Sequence, residues 1–440
     1  ADAGEIVLMA YPTYSSYRDS GVAWLGEVPK HWEVIKNKFI FNFSKGLTIT
    51  KENLSDEGVP CVNYGEIHSH YGFEVNPKQH ALKCVSEKYL SVAKSALLNQ
   101  GDFIFADTSE DIKGSGNFTY LNSDIPTFAG YHTIIARPDL NKIIPRFLAY
   151  AFESNGHRNQ IRTIVKGVKV FSITQAFLKN TFAWLPPLAE QTAIADYLDT
   201  QTAQIDALID KQQNLLAKLA EQRSSVITQA VTRGLNPNAP MKDSGVAWLG
   251  EVPKHWDVSA LKFYYDVQLG KMLQPKQNSS DDFEIPYLKA IHVQWDSIQI
   301  NNLPLMWANP QEVNKFLVKN GDLLICEGGE VGRCSILSGI SENTIIQNAL
   351  HRVRESNKST VKYLDYVIQH TANSKWFSIL CNKATIAHLT SEKLINLSIP
   401  LPPLTEQTAI ADYLDEQTAH IDRLSQKVEQ AIGRLKEYRT

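Results

Sequence analysis

Cysteine is scarce in this chain and unpaired. Its five cysteines, Cys61, Cys84, Cys326, Cys334 and Cys381, are odd in number, and no two form a C-x-x-C pair. That excludes a disulfide framework and a cysteine zinc site, and it fits a reducing, cytoplasmic setting. No apolar run approaches the roughly 18 residues that a membrane span needs, so no membrane role is expected. Neither sign of charge dominates. The formal net charge is −3, so any surface for a polyanion has to be a local patch, which neutrality neither supports nor opposes. Signatures of chemistry are missing as well. There is no G-x-x-x-x-G-K-[ST] phosphate loop and no G-x-G-x-x-G after a strand. No Asn-Pro-Pro-aromatic tetrapeptide occurs; the nearest stretch, Asn236-Pro237-Asn238, reads as a helix-stop turn. No His/Cys group has metal spacing. A site assembled only by tertiary contact stays open among the 12 histidines and many carboxylates.

What is present is ordinary in bulk and unusual in order. A hydrophobic share of 43% and a charged share of 21% belong to a globular protein, and 440 residues suffice for two or three domains. The stretch DSGVAWLGEVPKHW at residues 19–32 returns letter for letter at 243–256, and EQTAIADYLD at 190–199 returns at 406–415. The first pair is offset by 224 (243 − 19) and the second by 216 (406 − 190), while the sequence between the blocks is hardly alike. The chain is one module written twice: identical ends around two different middles, a frame carrying two readers. Residues 1–9 lack a basic start and a cleavage site and read, with the rest of 1–18, as a leader or cloning remnant.

Within each middle, a Gly-Asp turn feeds a buried strand at residues 101–105 and 321–325. Later strands are expected at 133–136 and 349–353, and helices at 144–154 and 361–369. Each middle therefore reads as a compact α+β domain. A long helix follows each Pro-Pro pair, with Glu190 in its first turn and, in the second copy, Thr405 as a candidate N-cap. A heptad pattern runs along both. Leu198, Ile205, Gln212, Leu219 and Val226 take a and Gln201, Leu208, Leu215 and Gln222 take d. In the second copy Leu414, Ile421, Val428 and Leu435 take a, with Gln417, Leu424, Ala431 and Tyr438 at d. Gly234 and Pro237 end the first helix. The second lacks the matching last turns, which reads as a trimmed C-terminus. Two such helices related by a pseudo-two-fold axis must run antiparallel. Residues 189–233 would make a rod of roughly 65 Å, a little more than one turn of B-DNA at about 34 Å.

This order resembles the specificity subunit of type I restriction–modification systems. The WLGEVPxHW blocks at 24–32 and 248–256 and the LPPLxEQ blocks at 185–191 and 401–407 carry the resemblance, which spans about residue 19 to the last residue. It implies an α+β protein of two target recognition domains, at 19–185 and 236–400, separated by two antiparallel coiled-coil spacer helices at 186–235 and 401–440. It implies a non-catalytic subunit that reads a bipartite double-stranded DNA site. Two methyltransferase subunits and the restriction/translocase subunits would join it. S-adenosylmethionine, ATP and Mg would reside on those partners, with no cofactor on this chain. Two rivals stand beside this reading: the specificity subunit of a type II-like system with a fused methyltransferase–nuclease, and a duplicated coiled-coil adaptor that binds proteins or glycans.

Candidate DNA contacts are cationic. Arg158, Arg162, Lys166, Lys169 and Lys179 stand in residues 151–181 against the single acid Glu153, and Lys375, Lys383, His388 and Lys393 stand in the counterpart. Such groups neutralise phosphates; a solvated helix face is the alternative. The glycine-containing loops at 111–116, with Lys113, and 328–333, with Arg333, are the second candidate, since glycine lets a backbone approach a groove and arginine pairs with guanine. Lys45, Lys51, Lys271 and Lys289 are weaker candidates. Tyr64, Tyr131 and Trp295 either stack at DNA or belong to the core. Trp24, Trp32, Trp248 and Trp256 are identical in both copies and so cannot read different targets; they either pack on the helix bases or meet a partner subunit. Tyr197 and Tyr413 are further candidates for that interface.

Overall fold

The structure is a computed structural model that describes residues 13–165, 170–341, 343–381 and 388–439. It separates into one unit of residues up to 207 with the last residues from Tyr438, and a second of 208–437.

Each unit holds an α+β domain of the same topology. In the first, strands Phe41–Lys45, Thr133–Pro138, Phe103–Ala106, Phe118–Leu121 and Glu74–Val75 lie side by side, all antiparallel except the last pair. A second sheet sets Val59–Val62 between Cys84–Val85 and Thr127–Ala129. In the second domain Tyr265–Leu269, Leu350–Glu355, Leu323–Cys326 and Cys334–Ile336 repeat the first order, and Phe283–Leu288 pairs with Thr344–Ile346 as Val59–Val62 does with Thr127–Ala129. The four expected strands and both expected helices, Pro145–Glu153 and Val361–Asn373, are in place.

The Gly-Asp turns have a buried reason. Gly101 and Gly321 sit at φ +91° and +93°, where a side chain is strained. Asp102 and Asp322 are each 1% exposed. Each carboxylate accepts two-pronged bonds from an arginine on the neighbouring strand, Arg137 at 2.7–3.1 Å and Arg354 at 2.6–2.9 Å. The same guanidinium also donates to a backbone carbonyl, of Leu97 or Leu317. The divergent middles thus share an invisible skeleton.

The long helices run Leu188–Arg233 and Leu404–Arg439. Thr405 is the second residue of its helix rather than its cap. Asp206 meets Arg439 at 2.6 Å, and Arg223 meets Asp422 at 3.4 Å. One number rises by 17 (223 − 206) as the other falls by 17 (439 − 422), so the helices are antiparallel. Adding the repeat offset of 216 to Asp206 and Arg223 gives Asp422 and Arg439. The two ion pairs are therefore the same pair written once in each module.

The seam differs from the expected heptad by one residue. Leu208, Leu215, Leu424 and Tyr438, expected inside, are 37–51% exposed. The covered positions are instead Thr202, Ile209, Leu216, Arg223 and Ala230, together with the expected a series, and in the second helix Thr418, Ser425 and Ile432 join Leu414, Ile421, Val428 and Leu435. The sequence offers Leu208-Ile209 and Leu215-Leu216 as adjacent apolar pairs; the helix buries Ile209 and half-buries Leu216, and leaves the first of each pair exposed.

Candidate nucleic-acid interface

The repeated blocks fasten each domain to the start of its long helix, and their side chains show how. Gln191 is fully buried; its Oε1 accepts from the Ile144 amide at 2.8 Å and its Nε2 donates to the carbonyls of Lys142 and Pro186. Gln407 does the same with the Thr360 amide and the carbonyls of Lys358 and Pro402. Two turns further, Asp199 accepts from Tyr150 at 2.6 Å, as Asp415 does from Tyr366 at 2.8 Å; Thr202 and Thr418 stand 3.3 Å from the same phenols. Glu190 and Glu406 tie the other repeated block, each accepting from a histidine, His31 or His255, at 2.8 Å. Although partial burial works against it, bonds from Tyr14, His31 and Trp32 hold the Glu190 carboxyl below its ordinary range. The repeated residues are a frame.

The four tryptophans divide accordingly. Trp32 donates to Glu190 at 3.0 Å, and Trp24, 37% exposed, lies edge-on to Trp184 with centroids 5.5 Å apart. Trp248 packs beside His370 at 5.7 Å. Trp256 is fully buried in the core of the second domain, between the end of the first helix and the start of the second. It is therefore not available to a partner subunit, which corrects that expectation. Tyr197 and Tyr413 remain 39% and 38% exposed.

Of the cationic candidates, Lys45 and Lys113 are exposed, Lys45 at a strand end and Lys113 on the loop before strand Phe118–Leu121. Arg158 and Arg162 support that loop from behind. Arg158 donates to Asn117 at 2.7 Å and Glu153 at 2.8 Å, and Arg162 to the Lys113 carbonyl at 2.8 Å. Asn117 in turn donates to His68 Nδ1 at 3.0 Å, and His68 Nε2 donates to the Thr108 carbonyl at 2.9 Å, which sets the imidazole tautomer. Lys166, Lys169 and Lys383 lie outside the described residues.

In the second domain Lys271 is only 7% exposed, and its ammonium donates to Glu312 at 2.6 Å and Gln274 at 2.9 Å. A buried, paired ammonium is a structural cation and does not reach a phosphate; this corrects the expectation for Lys271. Lys289 is half-buried beside the short turn Ala290–His292. Arg333 is folded back: its guanidinium donates to the Ala290 carbonyl at 3.0 Å and to Glu330 at 3.2 Å. His388 is exposed, and its carbonyl accepts from Lys393 at 3.3 Å.

The first domain has a concave site that cation-based reasoning missed. A cavity of about 760 Å³ opens beside the loop, and Tyr64, His68, Glu110, Asp111, Lys113 and His132 are among the residues that line it. Tyr64 meets Tyr131 at 5.5 Å and His132 at 5.3 Å. His132 holds a left-handed backbone at φ +54° and pairs with Asp107 at 3.2 Å. Strain of this kind in a non-glycine residue concentrates at working sites. Equivalent positions of the second domain, by strand register, are Ala290, Asn348 and Ala349, and Arg333 reaches across the space instead.

Duplicated frame, unlike loops and paired helices define a two-reader recognition protein. The chain matches the family described as the type I restriction modification DNA specificity domain over residues 29–218 and again over 253–434. It belongs to that family and is a non-catalytic DNA sequence-recognition subunit. It is 23% identical over 422 residues to the type I restriction enzyme EcoKI specificity subunit of Escherichia coli K12, covering 93% of this chain and 87% of the relative. A chain from a solved structure of type I restriction–modification complex assembly and conformational transition superposes with a TM-score of 0.70, at 18% identity and covering 94% and 96% of the two chains. The HsdS subunit of Thermoanaerobacter tengcongensis follows at 0.58, with 18% identity and 94% and 95% covered. Among the described residues no helix is long and apolar enough to cross a membrane.

Proposed function

We propose that the chain binds double-stranded DNA at two short half-sites separated by a fixed, unread spacer, each half-site read by one domain. Two DNA methyltransferase subunits and the restriction/translocase subunits act at the site so marked, in the cytoplasm. S-adenosylmethionine, ATP and Mg belong to those partners. The observation that carries this reading is the division of labour between residues. Everything identical in the two modules that is buried builds the frame, and what differs in the loops is left to read. A second observation bears on the partners. Leu188, Thr192, Ala193, Asp196 and Tyr197 share one exposed helix face, and so do their identical counterparts Leu404, Thr408, Ala409, Asp412 and Tyr413. Identity kept on a solvent-facing surface after the middles have diverged supports the same partner meeting both modules. The small Thr and Ala residues there leave room for a close approach.

The experiment is single-molecule sequencing of methylated adenine in cells that express the chain with its neighbouring methyltransferase. A bipartite motif with a constant gap is the expected result. Absence of modification with the chain present and folded would overturn the reading in favour of a coiled-coil adaptor.

A further inference from the structure

The loop of residues 107–117 in the first domain carries an acid where a surface made only for phosphate would carry none. Glu110, Asp111, Ile112 and Lys113 are all exposed at its tip, with Ile112 at 47%. The loop does not depend on the side chains of Glu110, Ile112 or Lys113 for its shape. Asp111 holds it internally, accepting from the Gly114 amide at 2.6 Å, while Ser109 donates to the Asp111 carbonyl at 2.8 Å. Arg158, Arg162 and His68 hold it from behind, as described above. A tip fixed in advance loses little entropy on contact. Glu110 has no role in that scaffold, and it borders the cavity walled by Tyr64 and His132.

We propose that this loop is the base-reading element of the first domain. Glu110 accepts a hydrogen bond from the exocyclic amine of an adenine or cytosine in its half-site. The inference rests on the DNA-recognition reading above. A carboxylate facing a polyanion is repelled by every phosphate. It gains only where it meets a donor, and in the major groove the donors are adenine N6 and cytosine N4. Ile112 beside it offers an apolar surface for a thymine methyl, and Lys113 a cation for phosphate or guanine. The second domain cannot read in this way. Its loop of 327–333 is shorter, and there Arg333 is folded back onto the Ala290 carbonyl, with Glu330 bound to both Arg333 and Trp295.

The test uses the full chain assembled with its methyltransferase. Once the wild-type motif is known, binding is measured to duplexes that each carry one changed base. For Glu110→Ala, discrimination at a single adenine or cytosine position of one half-site should fall by roughly tenfold. Every other position should be unchanged, and non-cognate DNA should bind as well as to wild type or better. Glu110→Gln, which keeps an acceptor oxygen, should retain part of the preference. Unchanged discrimination at every position overturns the proposal, and so does an equal loss of affinity for all duplexes. A wild-type complex with no bipartite motif would instead remove the functional reading on which the proposal stands.

Discussion

The first domain fills the space beneath its central strands with phenylalanine; the second fills the same space with aliphatic chains and a buried acid. Phe103, Phe105, Phe118 and Phe152 pack with ring centroids 5.4–5.9 Å apart. Their counterparts by register and offset are Leu323, Ile325, Cys334 and Ile368, all fully buried. Where helix Pro145–Glu153 has Ala149, helix Val361–Asn373 has Asp365, whose carboxylate accepts from the Cys334 thiol at 3.1 Å and from Gln369 at 3.1 Å. Two cores with almost no side chain in common thus support one topology. Volume and polar satisfaction decide the fold, and identity is required only where a hydrogen bond has no substitute.

The comparison can be broken most forcefully at the Gly-Asp turns. Asp322→Ala leaves Arg354 unpaired beside a buried backbone and should cost about 3 kcal/mol, lowering the melting of the second domain alone; Asp102→Ala should do the same to the first. Hydrogen exchange resolved by domain checks this. If either substitution loosens both domains equally, the two cores are not independent. Next come the buried glutamines. Gln191→Leu and Gln407→Leu each strand one amide and two carbonyls, and each should cost about 2 kcal/mol by denaturant titration. Equal losses would confirm that the frame is the same in both modules, and unequal losses would show that it has drifted.

A smaller effect separates the domains by pH. Burial pushes the Asp365 carboxyl up to about 6. Its folded value lies above its unfolded one, so the native state binds the proton more tightly, and its contribution to stability falls as pH rises from about 4 to about 6. Asp365→Asn should abolish that trend and stabilise the protein at neutral pH. In the first domain, burial against Phe152 drives the His157 imidazole down to about 3. Its contribution is lost in the opposite direction, as pH falls below about 6.5. His157→Phe should remove only that acid sensitivity. Slopes of the same sign for the two variants, measured as unfolding midpoint against pH, would refute this contrast. The smallest expected difference is between Tyr150→Phe and Tyr366→Phe, each losing about 1 kcal/mol with its aspartate bond.

Much of this architecture was legible in the chain. The repeat announced two modules, and the periodicities placed the central strands, the helices before the frame and both long helices. The resemblance supplied the family, which the match over both modules shows. What sequence could not resolve was always a choice between near-equal neighbours. The Leu208-Ile209 and Leu215-Leu216 pairs offered two seams, and only packing selects one. Lysine reads as exposed until a half-buried glutamate claims it, as Glu312 claims the buried Lys271. Repetition pointed to all four tryptophans alike, yet only burial distinguishes Trp256 from Trp24. At the candidate interface, a search for positive charge found Arg158 and Arg162, which prop the loop, and passed over Glu110 at its tip.

The repetition of the pair Asp206–Arg439 as Asp422–Arg223 has a consequence for direction. A perfect two-fold object set on a double helix cannot tell upstream from downstream, because turning it round changes nothing. Here the two modules repeat the same helix ion pair while their loops at 107–117 and 327–333 differ. On the proposed DNA site the molecule therefore fits in one orientation and not in the reverse. An otherwise symmetric pair of catalytic partners would acquire a left and a right from nothing more than two unlike loops.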